Sequence, residues 1–397
     1  MEENEREFSL EETFNTFAAR AVKDFPELEG KFAIYDAPTD TLYGMPDDNK
    51  KDDLLRIGRK YALITRDTGW AAYTHDPAAE GEGYYLMTIL ASPYFESSSA
   101  ALSTLKHELG HLVAPGGLHA RRNITFRECV ADIFSILYRN ESNTDLQEQI
   151  LDRKGTGAVG IVLGGEMQHF TLLTTLELEN LSKGYDLRNV ASSPLQAANL
   201  AYRLSLRYTL PPKEMAEIAK FFEPVQQAAN DPERGLIAAI EKCAEIVFDE
   251  HSQISRTAYL SARTWLMNFL ANDERHIEWR KKWLTPDFWT ELQRKIDETD
   301  AVLLKEDESP KPRLIRETKD MMVLGCFDKD PNSKIDPVQY ESKENVDYLN
   351  RASLAYANLR LQQPSLSQKE TIALARQMAK TPPATKQTPP APRAKGM

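Results

Sequence analysis

The chain has 397 residues, 41% hydrophobic and 27% charged, with a mean hydropathy of -0.50; this is the balance of a globular protein large enough for two domains, or for one with appendages. A net charge of -11 argues against a general nucleic-acid binder, because phosphate contacts need a basic face. The acidic start MEENEREFSLEE is unlike an export signal, no apolar run can span a bilayer, and the distant Cys129, Cys243 and Cys326 suit a reducing compartment. A cytoplasmic protein without membrane or nucleic-acid partners is expected, although a non-classical export route would leave no such mark.

Residues 8–25 repeat Phe14, Phe17, Ala18, Ala21, Val22 and Phe25 at helical spacing and predict an amphipathic helix. Four strand-like runs follow: KFAIYDA (31–37), YALITRD (61–67), WAAYTH (70–75) and YYLMTILAS (84–92). Pro, Gly and Asp clusters separate them, and DTGW reads as a hairpin between the second and third. Ser97, Ser98 and Ser99 then offer N-caps to a helix in which Ala101, Leu102, Leu105, Leu109 and Leu112 recur until PGG at 115–117 stops it. A second helix, TFRECVADIFSILY (125–138), carries an apolar stripe of Phe126, Val130, Ile133, Phe134 and Leu137. Beside it runs a small or acidic stripe of Glu128, Ala131, Asp132 and Ser135 that can approach another helix closely.

Beyond residue 140 the pattern is helical, with stripes over 167–182, 194–208, 212–229, 233–250 and 255–271. Residues 305–345 alternate charge, proline and short apolar pieces and are expected to be irregular, and a further helix is expected over 345–361. The end, 380–397, is proline-rich and polyproline-prone; it is either inert or a ligand for an adaptor domain. The predicted class is α+β. A core domain with the small sheet and both motif helices spans 1–145, and a helical portion completing the cleft spans 146–304. An irregular segment and helix cover 305–379, ahead of the tail.

The chemistry concentrates in KHELGH (106–111). A random chain with 7 His in 397 residues would show HExxH about one time in a hundred. On a helix, His107 and His111 stand one above the other and can share one ion at about 2.0–2.1 Å. Glu108 is rotated by about 100° and leans over the same opening, as a base for an attacking water would. Zinc with three protein ligands keeps a fourth position for that water. A metzincin would need Gly at 114 and His at 117, where this chain has Ala114 and Gly117. The acidic stripe lets Glu128 reach the ion and Asp132 accept a hydrogen bond from a ligand histidine.

HELGH at 107–111 followed by ECVAD at 128–132 resembles the gluzincin group of zincin metallopeptidases, in which HExxH supplies two ligands and the base and an ExxAD-type motif on the next helix supplies the third. The resemblance covers the stretch that runs from the first motif to the second, and it assigns no subfamily. It implies a zincin-like fold, one Zn2+ on His107, His111 and Glu128, Glu108 as general base, Asp132 as orienting carboxylate and a peptide or protein as substrate. It also implies a substrate-holding strand just before the active helix, where YYLMTILAS stands.

Several alternatives stay open at the level of sequence. Glu128 fits the N3 place of a capping box opened by Thr125, Asp132 fits a solvated helix acid, and His119 is a loop ligand offset by two positions. His169 is a candidate donor to the oxyanion or an exposed cap, and Tyr185 and Tyr202 are further candidates. His75, His251 and His276 read as surface residues, and the aromatic stretch 276–289 as core. The rival functions are a binding or effector protein that keeps a zincin shell, and a metal-dependent amidase on a non-protein substrate.

Overall fold

A computed structural model describes residues 9–44, 48–65, 71–74, 84–92, 95, 97–115, 124–139, 142–165, 167–249, 254–270, 285–305 and 309–380. The chain forms two compact units, one of residues 1–306 with 332–337, the other of 307–331 with 338–397. The class is α+β, mostly helical with one small mixed sheet.

The first unit opens with α1 (Leu10–Asp24), capped by Ser9 and burying Phe14, Phe17, Ala18 and Ala21. Strands β1 (Phe32–Asp36), β2 (Thr41–Tyr43), β3 (Ala72–Thr74) and β4 (Tyr85–Ile89) form a sheet of order β2-β1-β4-β3. β1 and β4 are parallel, while β2 and β3 run antiparallel to their neighbours. Every residue of β1 is buried, as a central strand covered on both faces must be. One cover is α2 (Lys51–Thr65), whose Leu54 and Ile57 pack with Ala33, Tyr35 and Leu86.

The run 61–67, expected as a strand, is thus helical through Thr65. Leu54, Ile57 and Tyr61 continue a helical stripe that begins earlier, and Asp52 and Asp53 favour its N-terminus. A short apolar run such as YALI reads equally as strand or helix, and the longer pattern decides. Gly58 lets α2 lie flat on the sheet, since a Cβ there would come within 2.4 Å of the Tyr35 ring.

The main elements described in the rest of this unit are helices: α3 (Ser98–Val113), α4 (Ile124–Leu137), α5 (Asn143–Val162), α6 (Leu172–Gly184), α7 (Pro194–Tyr208), α8 (Pro212–Phe221), α9 (Glu223–Ala229), α10 (Gly235–Ala244), α11 (Arg256–Leu270) and α12 (Pro286–Leu303). The expected helix over 212–229 is two helices meeting at Phe222, with a proline in the first turn of the second, and the one over 233–250 ends in a π turn at Glu245–Asp249. Helix α5 lies in the stretch beyond residue 140 that reads as helical, although no stripe is assigned to it. A core built on Trp265, Tyr259, Phe222 and Ile240 holds α5, α8, α10, α11 and α12 together.

In the second unit, α13 (Pro310–Val323), α14 (Lys343–Gln362) and α15 (Gln368–Lys380) pack with α14 central. Tyr356 of α14 is buried and donates to Glu317 of α13 at 2.6 Å. Residues 305–345, expected to be irregular, therefore include a regular helix started by Pro310. No helix among the described residues is long and apolar enough to cross a membrane, and the three cysteines form no disulfide. The hairpin DTGW, His75, His119, His251, His276, most of the aromatic stretch 276–289 and all of the tail beyond Lys380 lie outside the described residues.

Candidate metal centre

Helix α3 starts where Ser97 accepts the Ala100 amide at 3.2 Å, which satisfies an otherwise orphaned donor. Ala101, Leu105, Leu109 and Val113 bury one face of the helix, while Thr104, His107, Glu108 and His111 face a cleft. Helix α4 buries its apolar stripe and, alongside it, Glu128, Ala131, Asp132 and Ser135. The two helices pack directly and touch backbone to backbone, since a Cβ on Gly110 would fall 2.8 Å from Ala131 Cα and 3.1 Å from its carbonyl oxygen.

That closeness brings the carboxylate of α4 to the imidazoles of α3. We expect Gly110→Val to force the helices apart, costing about 1–3 kcal/mol by overpacking and most of the metal affinity. Urea melts and metal titration check this, and unchanged values would show that the approach is not needed.

Ligand atoms of His107, His111 and Glu128 all lie within 4.8 Å of one another. Glu128 Oε2 is 3.2 Å from His107 Nε2 and 3.6 Å from His111 Nε2. The imidazole planes cross at 88° with centroids 4.9 Å apart. Glu128 is 8% exposed, Glu108 7% and Asp132 3%, and carboxylates so enclosed need a countercharge. Glu128 Oε2 is also fully buried without a partner in hydrogen-bonding geometry, although nitrogens surround it. An orphaned anionic oxygen facing two imidazoles is the donor arrangement that a divalent ion satisfies. The group could therefore hold a metal ion.

The same groups are strongly coupled electrostatically. Burial pushes the Glu128 carboxyl up, but the nearby His111 and His107 outweigh it and hold it well below the ordinary carboxylate range. Burial likewise lowers His107, and Asp132 and Glu128 together more than reverse this, raising it far above an ordinary imidazole. A proton and a metal ion compete for the same Nε2 lone pair.

Around the donors lies a supporting layer. His107 Nδ1 is 2.8 Å from Asp132 Oδ1, the placement that fixes a ligating histidine's tautomer. Thr74 of β3 donates its hydroxyl to Glu108 Oε2 at 2.5 Å, so the acid beside the donor group is held in one orientation. His169 closes a 3-10 turn, Met167–His169, with Nδ1 3.3 Å from Glu128 Oε2. The three donors, Thr74, Glu108 and His169 line a cavity of about 390 Å³, whose wall also includes Tyr73, Ile124, Arg127 and Arg153.

The candidates from sequence thus fall together in one place: His107, Glu108, His111, Glu128, Asp132 and His169. Thr125 is the second residue of α4, so it does not occupy the N-cap place that a capping box with Glu128 requires. Neither Tyr185 nor Tyr202 is among the described residues lining the cleft; Tyr202 is buried against Phe126.

The strand beside the cleft is a correction. β4, within YYLMTILAS, is paired on both sides, by β1 and β3, so it offers no edge; among the described residues β2 and β3 are the edges of the sheet, and β3 lines the cavity. Thr74 and Arg153 carry no motif and were not found by sequence reasoning. Compared with family models, with curated proteins and with solved structures, the chain has no match.

Proposed function

We propose that the chain is a metallopeptidase of the gluzincin type, with a zincin-like domain around one zinc ion held by His107, His111 and Glu128. The observation that carries this reading is the convergence of those three donors from two adjoining helices, with Glu108 beside them but outside the donor group. Zinc is assigned because two imidazoles and one carboxylate are its three-ligand hydrolytic set. When bound, such an ion supplies Lewis acidity at a carbonyl and brings a water's pKa to about 7.

The chain's own residues do the rest. Glu108 takes the proton of the attacking water and passes it to the leaving amine. With Oε2 engaged by Thr74, Oε1 is the oxygen that receives it. His169, with Nδ1 toward Glu128, is assigned to the developing oxyanion through Nε2. The edge of β3 is the place for an extended peptide to add as a further strand. A reducing compartment such as the cytoplasm fits the three unbridged cysteines.

Metal analysis of the purified chain together with peptide-library cleavage tests the reading. We expect about one zinc per chain and cleavage that a chelator removes and added zinc restores. A chain that binds no zinc would refute the metal centre, and hydrolysis confined to non-peptide amides would replace peptidase by amidase.

A further inference from the structure

We propose that Arg153 is a positioning residue for the ligand His107, acting through Asp132. The proposal rests on the metal-site reading above. Asp132 Oδ1 lies against two nitrogens at once, His107 Nδ1 at 2.8 Å and, in an ion pair, Arg153 Nη1 at 3.0 Å. The same guanidinium sends Nη2 to within 3.4 Å of Ser103 Oγ, one helical turn before His107. Arg153 belongs to α5, Asp132 to α4, and His107 and Ser103 to α3. One planar cation therefore ties three helices together at the ligand.

The chemistry requires such a group. A histidine that ligates through Nε2 is neutral and keeps its proton on Nδ1. Asp132 can accept a hydrogen bond from that proton, but a neutral imidazole does not balance the charge of a carboxylate that is 3% exposed. Arg153 supplies the balance, and its fork divides between Asp132 Oδ1 and Ser103 Oγ, which anchors the cation between the two helices. Lysine would bring the charge without the fork. Without either, and with His107 neutral on the ion, the hydrogen bond from Nδ1 alone is left to hold the buried Asp132 carboxylate against the ligand.

Zinc affinity, measured by competition with a chromophoric chelator, tests this in the full-length chain. The comparison covers wild type, Arg153→Gln, Arg153→Lys, Asp132→Asn and the two double variants. We expect Arg153→Gln to weaken zinc binding about tenfold or more and Arg153→Lys to fall between it and wild type. In the Asp132→Asn background, replacing Arg153 should change the affinity by less than about twofold, because the path is already cut.

Wild-type affinity in Arg153→Gln overturns the proposal, as does an undiminished loss when Asp132 is already Asn. Circular dichroism reports folding. If the Gln variant does not fold, the Lys variant decides by the same rule: a loss seen only with Asp132 present supports the proposal, and an equal loss in both backgrounds overturns it. Absence of zinc from wild type removes the metal-site reading and this proposal together, whereas equal binding by wild type and the Arg153 variants removes this proposal alone.

Discussion

Glu108→Gln is expected to abolish peptide cleavage while leaving zinc in place. Gln keeps the size of Glu and can still accept the Thr74 hydroxyl that now reaches Oε2 at 2.5 Å, so the local packing survives. What it loses is the ability to take up a proton. A general base typically contributes about 10²- to 10⁴-fold, and we expect kcat to fall in that range with the zinc content unchanged, because Glu108 lies outside the donor group. Two measurements decide the matter, metal content and turnover on the same preparation. A Gln variant that keeps its turnover would remove Glu108 from the reaction, and one that loses its zinc would make Glu108 a ligand.

Glu128→Ala should have the opposite signature. The carboxylate is the only donor in the group that comes from α4; without it the two imidazoles of α3 face a hole. We expect zinc affinity to fall by more than the about 10- to 100-fold typical of outer-layer residues. The wild type should melt higher with added zinc, because a ligand held at about 1,000 times its Kd stabilises by about 4.1 kcal/mol. In the Ala variant that zinc-dependent rise should vanish. A rise of the same size in both proteins would place the ion elsewhere.

Much of this centre was legible in the sequence because its parts obey short-range rules. The spacing of His107 and His111 fixes their shared face once the helix is recognised, and the cap at Ser97 with the stop at PGG marks that helix. The small stripe through Ala131 announced a close helix contact, and Gly110 is what it meets. Other parts depend on folding over distance. Thr74 reaches Glu108 from β3, a strand legible in WAAYTH, but nothing in that run says that it lies beside the motif helix. Arg153 sits on α5, where Gly155, Gly157 and Gly160 interrupt the apolar pattern, so no stripe shows which face of it meets the site. The edge strand was misplaced because order along the chain does not state order in a sheet: β4 follows β3 in sequence yet lies inside it.

The three donors come from consecutive helices, whereas Arg153 and His169 follow later in the chain. Little loop entropy is lost in joining neighbours, and the N-terminal part of a chain is made first. Ion capture and ligand orientation would then be separate events in the life of a nascent chain. A ribosome-stalled fragment ending after α4 should retain zinc loosely and gain its full grip only once α5 has emerged.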